Sequence, residues 1–233
     1  QKIWTSRAAY SDLMIILART TPINKNEKRT KGLSVFLVDM RKEKDNSIKI
    51  KPIKTMMNHS TTSVFFDNLI VPKENLIGFE GEGFKYILSG LNAERILISA
   101  ECIGDAKWFI EKARDYSINR EVFGRPIGMN QGIQFPIAKA YSKMRAAELI
   151  LNEAIRLYDE GKNCGEEANL AKLLCSEAST EAGEVCLQTF GGFGFAKEFD
   201  IERKYRENKL YQTAPVSSNL ILSYIGEHIL KMP

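Results

Sequence analysis

The pattern of hydrophobic and polar positions changes near residue 77 and divides the chain into two parts. The first part contains short apolar or alternating runs, at 13–18, 33–38, 47–51 and 63–66. Runs of this length predict β-strands, and the run at 13–18, apolar throughout, predicts a buried strand. A polar stretch at 24–29 predicts an exposed loop between strands.

From Phe84 onward the apolar positions recur with the period of an α-helix, which puts Phe84, Ile87, Leu88 and Leu91 on one face. The pattern predicts four helices, over about 84–119, 131–160, 166–189 and 218–230. Long helices with short connections are typical of an antiparallel bundle. The predicted fold class is therefore α+β: a partial antiparallel β domain over 1–77, followed by a four-helix bundle over 78–233.

Composition narrows the function classes. The chain has 233 residues, a net charge of +4 and mixed acidic and basic positions, which argues against a nucleic-acid-binding surface. It has no run of 18 apolar residues, so no membrane span is predicted. The four cysteines form no CxxC and predict buried thiols in a reducing compartment, and only two histidines argue against a metal site. The chain begins at Gln1 with no signal-peptide pattern, so we expect it to lack an N-terminal part.

Two glycine-containing blocks interrupt the helical part. The first is Arg120-Glu121-Val122-Phe123-Gly124-Arg125-Pro126-Ile127, followed by Gln131, and the second contains Gln188 with Gly191 and Gly192. An arginine can pair bidentately with a pyrophosphate, and glycines let backbone N–H groups approach one closely. Taken alone, the blocks are equally compatible with a solvated arginine and a turn between helices. No strand precedes the glycines, so they are not a Rossmann fingerprint.

These blocks, together with Lys2-Ile3-Trp4-Thr5-Ser6 and the segment 71–83, resemble the flavin-dependent acyl-CoA dehydrogenase family over essentially the whole chain. The resemblance implies FAD bound across a subunit interface of a homodimer or homotetramer. It implies that Trp4 stacks on the flavin and that Ser6 donates to the ring edge; an ordinary buried Trp before a strand is the alternative. It implies further cofactor contacts from Arg120, Phe123, Gln131, Gln188, Gly191, Gly192, Ser217 and Asn219. The family's N-terminal helical domain has no counterpart in this chain.

The resemblance also implies a position for the general base. Most family members carry a glutamate in a C-terminal Tyr-Glu-Gly-Thr stretch, whereas the matching segment here, from Tyr211 to Asn219, contains no carboxylate. The isovaleryl-CoA and long-chain subgroup instead carries it in a Leu-x-x-Glu-Arg pattern, which Leu91-Asn92-Ala93-Glu94-Arg95 matches. The resemblance therefore implies that Glu94 is the base and that Arg95 supports the substrate. A surface ion pair of Glu94 with a neighbour is the alternative.

The reaction that this resemblance implies is α,β-dehydrogenation of an acyl-CoA to the trans-2-enoyl-CoA, as in fatty acid β-oxidation. Glu94 would take the α proton while the β hydride passes to flavin N5, and an electron-transfer flavoprotein would be the acceptor. The compartment would be the cytoplasm or the mitochondrial matrix. A flavin oxidase or monooxygenase of the same fold, and a non-catalytic acyl-CoA-binding relative, remain as alternatives.

Overall fold

The computed structural model describes residues 1–42, 47–57 and 59–233. It forms two compact units, Gln1–Gly90 and Leu91–Pro233. The domain boundary that the sequence pattern predicts, between residues 77 and 78, stays a prediction.

The first unit is built from short antiparallel strands: β1 (Lys2–Ser6), β2 (Leu13–Arg19), β3 (Leu33–Asp39), β4 (Ile48–Pro52), β5 (Thr61–Phe66) and β6 (Leu76–Ile77). They form one sheet in the order β1-β5-β4 and another in the order β2-β3-β6. Val35, Val38 and Val64 are the largest hydrophobic residues fully buried in this unit. The four predicted strands are confirmed.

Two expectations about this unit are wrong. Strand β2 is not buried, since Leu13 and Ile15 are 51% and 60% exposed. Successive side chains of a strand point to opposite faces, and Leu13 and Ile15 share the face that is left exposed. Residues Lys2–Ser6, which carry little hydrophobic signal, form a strand themselves rather than precede one, because they pair with β5.

The second unit is helical. Its helices are α1 (Gly83–Asn119, which begins in the first unit), α2 (Gln131–Asp159), α3 (Gly165–Phe190), α4 (Ile201–Asn208) and α5 (Ser218–Tyr224). A two-stranded hairpin, β7 (Glu121–Val122) and β8 (Arg125–Pro126), lies between α1 and α2. None of the described helices is both long and apolar enough to cross a membrane.

The structure confirms the three long helices that the sequence predicts. The C-terminal region differs from its prediction of one helix over 218–230. Helix α5 gives way to a π-helical turn at Ile225–Ile229. Helix α4 was not predicted, because its sequence is mostly charged; ion pairs at i,i+4 from Arg203 to Glu207 and from Arg206 to Glu202 support it.

The core of this unit is one cluster of buried residues from α1, α2 and α3. Small residues let α2 and α3 pack closely: Ala140, Ala147 and Ala154 on α2, and Ala168, Ala171, Ala178 and Ala182 on α3. Phe109 and Met144 fill the space between the helices. All four cysteines are buried and free, as predicted.

Candidate active site

Glu94 lies on α1, about three turns from the start of that helix, and its side chain is exposed. Its neighbour in sequence, Ile96, is buried in the core and fixes the rotation of the helix at this point. Within the described part of the chain the Glu94 carboxylate forms no ion pair. The carboxylate is therefore accessible and not committed to a salt bridge.

Arg95 is half-buried beside Glu94. One guanidinium nitrogen, Nη1, donates to Asn92 Oδ1 at 3.1 Å, while Nε is buried and has no hydrogen-bond partner among the described residues. Burial lowers the pKa of Arg95, and the nearby Tyr224 hydroxyl and Glu94 carboxylate oppose that shift. An arginine in this state holds a positive charge and an unused N–H donor next to the predicted base.

The first glycine-containing block forms the β7–β8 hairpin. Its two turn residues, Phe123 and Gly124, both have positive φ angles, of 54° and 76°, as a type I′ turn requires. The turn leaves the Phe123 ring completely exposed, at 101%. Arg120 precedes the hairpin, and its backbone oxygen accepts from the Ile127 N–H at 2.8 Å.

The second block joins the first at a cavity of about 610 Å³ in the helical unit. Its lining includes Arg120, Val122, Ile127, Gly192 and Phe193. The Arg120 guanidinium lies over the Phe193 ring, 5.9 Å from its centroid. Nothing lies within 4 Å of the position that a Cβ would take on Gly191 or Gly192, so this backbone is open to a ligand.

The other predicted cofactor contacts are not part of this lining. Phe123 is at the hairpin tip, Gln131 is the first residue of α2, and Gln188 is exposed near the end of α3. Ser217 is the N-cap of α5, where its Oγ accepts from the Leu220 N–H at 3.4 Å, and Asn219 is exposed in the first turn of that helix. Their roles stay predictions.

Trp4 and Ser6 lie on β1 in the first unit. The register of β1 with β5 shifts between Ile3 and Thr5, and Trp4 at this bulge has a φ of 64°. The bulge leaves the Trp4 side chain 65% exposed. The alternative of an ordinary buried Trp is therefore wrong, and the exposed ring is available to a planar ligand.

The sequence-based prediction missed a buried polar cluster in the helical unit. Lys172 is fully buried and donates to the Tyr211 backbone oxygen, while the Tyr211 hydroxyl donates to Asp105 at 3.1 Å. Asp105 also pairs with Lys204 at 2.5 Å. The sequence contained one signal for the burial of Lys172. This residue lies four positions after Ala168 and three before Cys175, on the apolar face of α3 that is buried.

Comparison with known proteins decides the family. Residues 81–230 match the model of the acyl-CoA dehydrogenase C-terminal domain. The chain belongs to the acyl-CoA dehydrogenase family. This family consists of FAD-dependent oxidoreductases, so the resemblance found in the sequence is confirmed.

Individual relatives support the same family assignment. An acyl-CoA dehydrogenase of Bacillus subtilis is 34% identical over 229 residues, covering 98% of this chain and 59% of the relative. The caffeyl-CoA reductase–Etf complex subunit CarC of Acetobacterium woodii is 30% identical, covering 99% of this chain and 60% of the relative. The structure of butyryl-CoA dehydrogenase from Megasphaera elsdenii superimposes with a TM-score of 0.90 at 28% identity, covering 98% of this chain and 59% of that structure. The chain thus spans about 59% of the length of such a relative.

The residues present fit FAD. A pyrophosphate needs a cation and backbone that can approach closely, which Arg120 and the uncovered Gly192 provide in one cavity. In the first unit, the exposed Trp4 ring is of a type that can stack on a planar ring. No group of three or more His, Cys, Asp or Glu side chains arranged to hold a metal ion occurs among the described residues.

Proposed function

We propose that the protein is an FAD-dependent acyl-CoA dehydrogenase in which Glu94 is the general base. The observation that carries the proposal is the state of Glu94: an accessible carboxylate with no ion-pair partner among the described residues, beside an arginine with an unused donor. Family membership supports the reaction class. The names of the Bacillus and Megasphaera relatives support an acyl-CoA thioester as the substrate.

The chemistry requires such a carboxylate. The α C–H of a thioester is a weak acid, so a base must meet it directly, and closure around the substrate must exclude water to strengthen the base. Glu94 forms no salt bridge among the described residues, and its exposed carboxylate is accessible to take the α proton of a bound acyl-CoA.

The C-terminal segment supports the same assignment. Residues 211–219 carry no carboxylate. The Tyr211 backbone oxygen accepts from Lys172, and the Ser217 hydroxyl accepts from the Leu220 N–H. The absence of a carboxylate from this segment supports Glu94, the candidate that the family pattern supplies.

When bound, FAD supplies an acceptor for the β hydride. We propose that Trp4 and Ser6 hold its ring system and that Arg120, Phe123, Gln131, Gln188, Gly191, Gly192, Ser217 and Asn219 hold its adenosine and pyrophosphate. Arg95 is proposed to stabilise, by its positive charge, the negative charge that forms on the thioester carbonyl.

The partners are proposed on the same basis. An electron-transfer flavoprotein is proposed as the acceptor, since the Acetobacterium relative is named as a subunit of a complex with Etf. A homodimer or homotetramer, and a place in the cytoplasm or the mitochondrial matrix, are proposed from the family.

A second candidate is reduction of an enoyl-CoA by the same residues in reverse. The observation that favours it is the name of the Acetobacterium relative, a caffeyl-CoA reductase subunit. In that direction the protonated Glu94 would deliver the α proton. The direction of net turnover depends on the electron donor or acceptor, so both substrates belong in the test.

The test is an anaerobic titration of the complete protein, loaded with FAD, with a panel of acyl-CoA thioesters. We expect the flavin absorbance of the wild type to bleach with at least one thioester. Glu94→Gln should bind FAD normally but bleach about 10²- to 10⁴-fold more slowly, the range for loss of a general base. Glu111→Gln is a matched control, because Glu111 is another exposed acid of α1.

The outcomes separate the hypotheses. Bleaching of Glu94→Gln at the wild-type rate would remove Glu94 as the base while leaving the enzyme class intact. Bound FAD that no thioester bleaches, together with reoxidation by an enoyl-CoA after chemical reduction, would favour the reductase. Aerobic hydrogen peroxide formation at the rate of turnover would favour an oxidase.

A further inference from the structure

Tyr211 is held at both of its ends by buried partners in the helical unit. Its backbone oxygen accepts a hydrogen bond from the Lys172 ammonium, and its hydroxyl donates to Asp105 at 3.1 Å. Lys172 is fully buried, and Tyr211 and Asp105 are each only 5% exposed. One hydrogen bond would leave the residue free to turn about that bond. Two bonds at opposite ends fix both its backbone and its ring.

The partners of Tyr211 are themselves fixed by the core. Lys172 lies in the middle of α3 and Asp105 in the middle of α1, the two longest contributors to the buried cluster together with α2. Asp105 also pairs with Lys204 of α4 at 2.5 Å, so its charge is balanced. The position of Tyr211 is therefore set by three helices rather than by its own turn.

From Tyr211 the hydrogen bonds continue to the start of α5. Ser218 is the first residue of this helix, and its Oγ donates to the Gln212 backbone oxygen at 3.3 Å. Exposure rises along the same path: Tyr211 is buried, Gln212 and Ser218 are half-buried, and Asn219 is exposed. A path of hydrogen bonds thus connects the core to an accessible helix start.

The burial of Lys172 has a cost that its bond to Tyr211 explains. Among the residues that the structure describes, Lys172 forms no ion pair, and its acceptor is a neutral carbonyl. Burying an ammonium in this way is unfavourable, and a methionine of similar length would fill the space without the cost. What methionine lacks is a donor for the Tyr211 carbonyl. Costs of this kind are typical of functional sites.

We propose that Lys172 and Asp105 are positioning residues that hold Tyr211 from two sides and thereby place the start of α5, with Ser217 and Asn219, for contact with FAD. The inference rests on the function proposed above and extends it to residues that do not touch the cofactor. A segment that is already in place needs no ordering when FAD binds, so less free energy is lost on binding.

The test measures FAD binding by the complete protein after its cofactor has been removed, at a temperature well below every unfolding midpoint. Lys172→Met removes the bond to the Tyr211 carbonyl, and Tyr211→Phe removes the bond to Asp105. Each should weaken FAD binding about tenfold, because the segment must then be ordered by the ligand. Lys172→Arg keeps a donor of similar reach and should recover most of the affinity.

A double variant tests whether the hydrogen bonds act as one path. Ser218→Ala breaks the path at its far end and should weaken FAD binding by about threefold, since that bond is long. Two breaks in one path have a shared effect, so Lys172→Met/Ser218→Ala should lose less than the product of the two single losses. Losses that multiply fully would show independent effects and overturn the proposal.

A matched core variant separates positioning from general stability. Met144→Ala removes a buried side chain from α2 in the same core. It should lower the unfolding temperature but leave FAD affinity unchanged, because a protein that is still almost entirely folded binds with its intrinsic affinity. Equal weakening of FAD binding in Met144→Ala, Lys172→Met and Lys172→Arg would show a general loss of packing and overturn the positioning role.

The remaining outcomes also decide the proposal. Asn219→Ala, at an exposed position, should weaken FAD binding by itself; unchanged affinity there would overturn the inference, since the segment held by Tyr211 would not contact FAD. Should Lys172→Met fail to fold, Tyr211→Phe decides, because it keeps the ring. A wild type that binds no FAD would overturn the proposed function and this inference together. Normal FAD binding in the wild type and in Tyr211→Phe would overturn this inference alone.

Discussion

Asn208 and Ser179 are joined by two hydrogen bonds in the core of the helical unit. Ser179 Oγ donates to Asn208 Oδ1 at 2.7 Å, and Asn208 Nδ2 donates to the Ser179 backbone oxygen at 2.9 Å. Both residues are completely buried. The pair fastens the end of α4 to the middle of α3, and so fixes where the chain enters the turn at Tyr211.

Replacing Asn208 should therefore destabilise this unit. Asn208→Ala removes both bonds, leaves the Ser179 hydroxyl without its acceptor and opens a small cavity, which we expect to cost about 2–3 kcal/mol. Urea unfolding followed by circular dichroism measures it. Asn152→Ala, at an exposed position of α2, is the control and should stay within about 0.5 kcal/mol of the wild type. Equal stability of the two variants would contradict the assigned role of the pair.

Two glycines of α1 should respond in opposite directions to the same substitution. A Cβ on Gly83 would lie 2.6 Å from the Ser34 carbonyl carbon, so Gly83→Ala must displace backbone and should cost about 1–3 kcal/mol. Nothing lies within 4 Å of a Cβ on Gly90, so Gly90→Ala should stabilise the helix by about 0.5–1 kcal/mol. Thermal unfolding of both variants checks the pair, and a stabilised Gly83→Ala would show that the close approach is not real.

Acid stability should depend on Glu148, which joins α1 to α2. Its carboxylate accepts from Lys107 at 2.5 Å and also pairs with Arg145. The hydrogen bond from Lys107 lowers the pKa of Glu148, and the charges of Lys107 and Arg145 add to that effect. A lowered pKa means that the stabilisation is complete above the unfolded-state pKa, about 4.3, and is lost as pH falls through the folded-state value.

The corresponding measurement is the free energy of unfolding as a function of pH for the wild type and Glu148→Gln. At pH 7 we expect the variant to be less stable by roughly 1 kcal/mol, a modest figure because the two cations are half exposed. The difference should shrink toward zero as pH falls below the unfolded-state pKa and through the lower folded-state pKa of Glu148. Glu111→Gln should run parallel to the wild type, and a Glu148→Gln difference that persists in acid would mean that the ion pairs are not its cause.

Phe123 tests the cofactor assignment separately from the base. Its ring is fully exposed at the tip of the β7–β8 hairpin, so Phe123→Ala should not lower the stability of the protein without FAD. If the ring covers part of FAD, the variant should bind FAD about tenfold more weakly, as expected from the loss of one aromatic contact. Flavin fluorescence during titration of the apoprotein measures this. Phe135→Ala, at a 60% exposed position of α2, is the control, and unchanged affinity in Phe123→Ala would remove Phe123 from the site.

The sequence predicted the long elements well because each has a strong local signal. The apolar period of α1, α2 and α3 gave their bounds to within a residue or two. Helix α4 lacked this signal, because its order comes from i,i+4 ion pairs and from Asn208, whose partner Ser179 lies 29 residues away. Strand β1 is likewise ordered by pairing with β5, about 60 residues later in the chain.

For the candidate site as well, some features follow from the sequence and others only from the folded structure. Sequence by itself determined the family and the missing C-terminal carboxylate, and it supplied the prediction of Glu94, because these depend on residue identity and spacing along one chain. Tertiary structure alone decided that Trp4 is exposed at a bulge, that Arg120 and Gly192 share one cavity, and that Lys172 is fully buried and donates to the Tyr211 backbone oxygen. Burial and proximity are properties of the folded chain, since they are set by groups that packing brings together from distant positions.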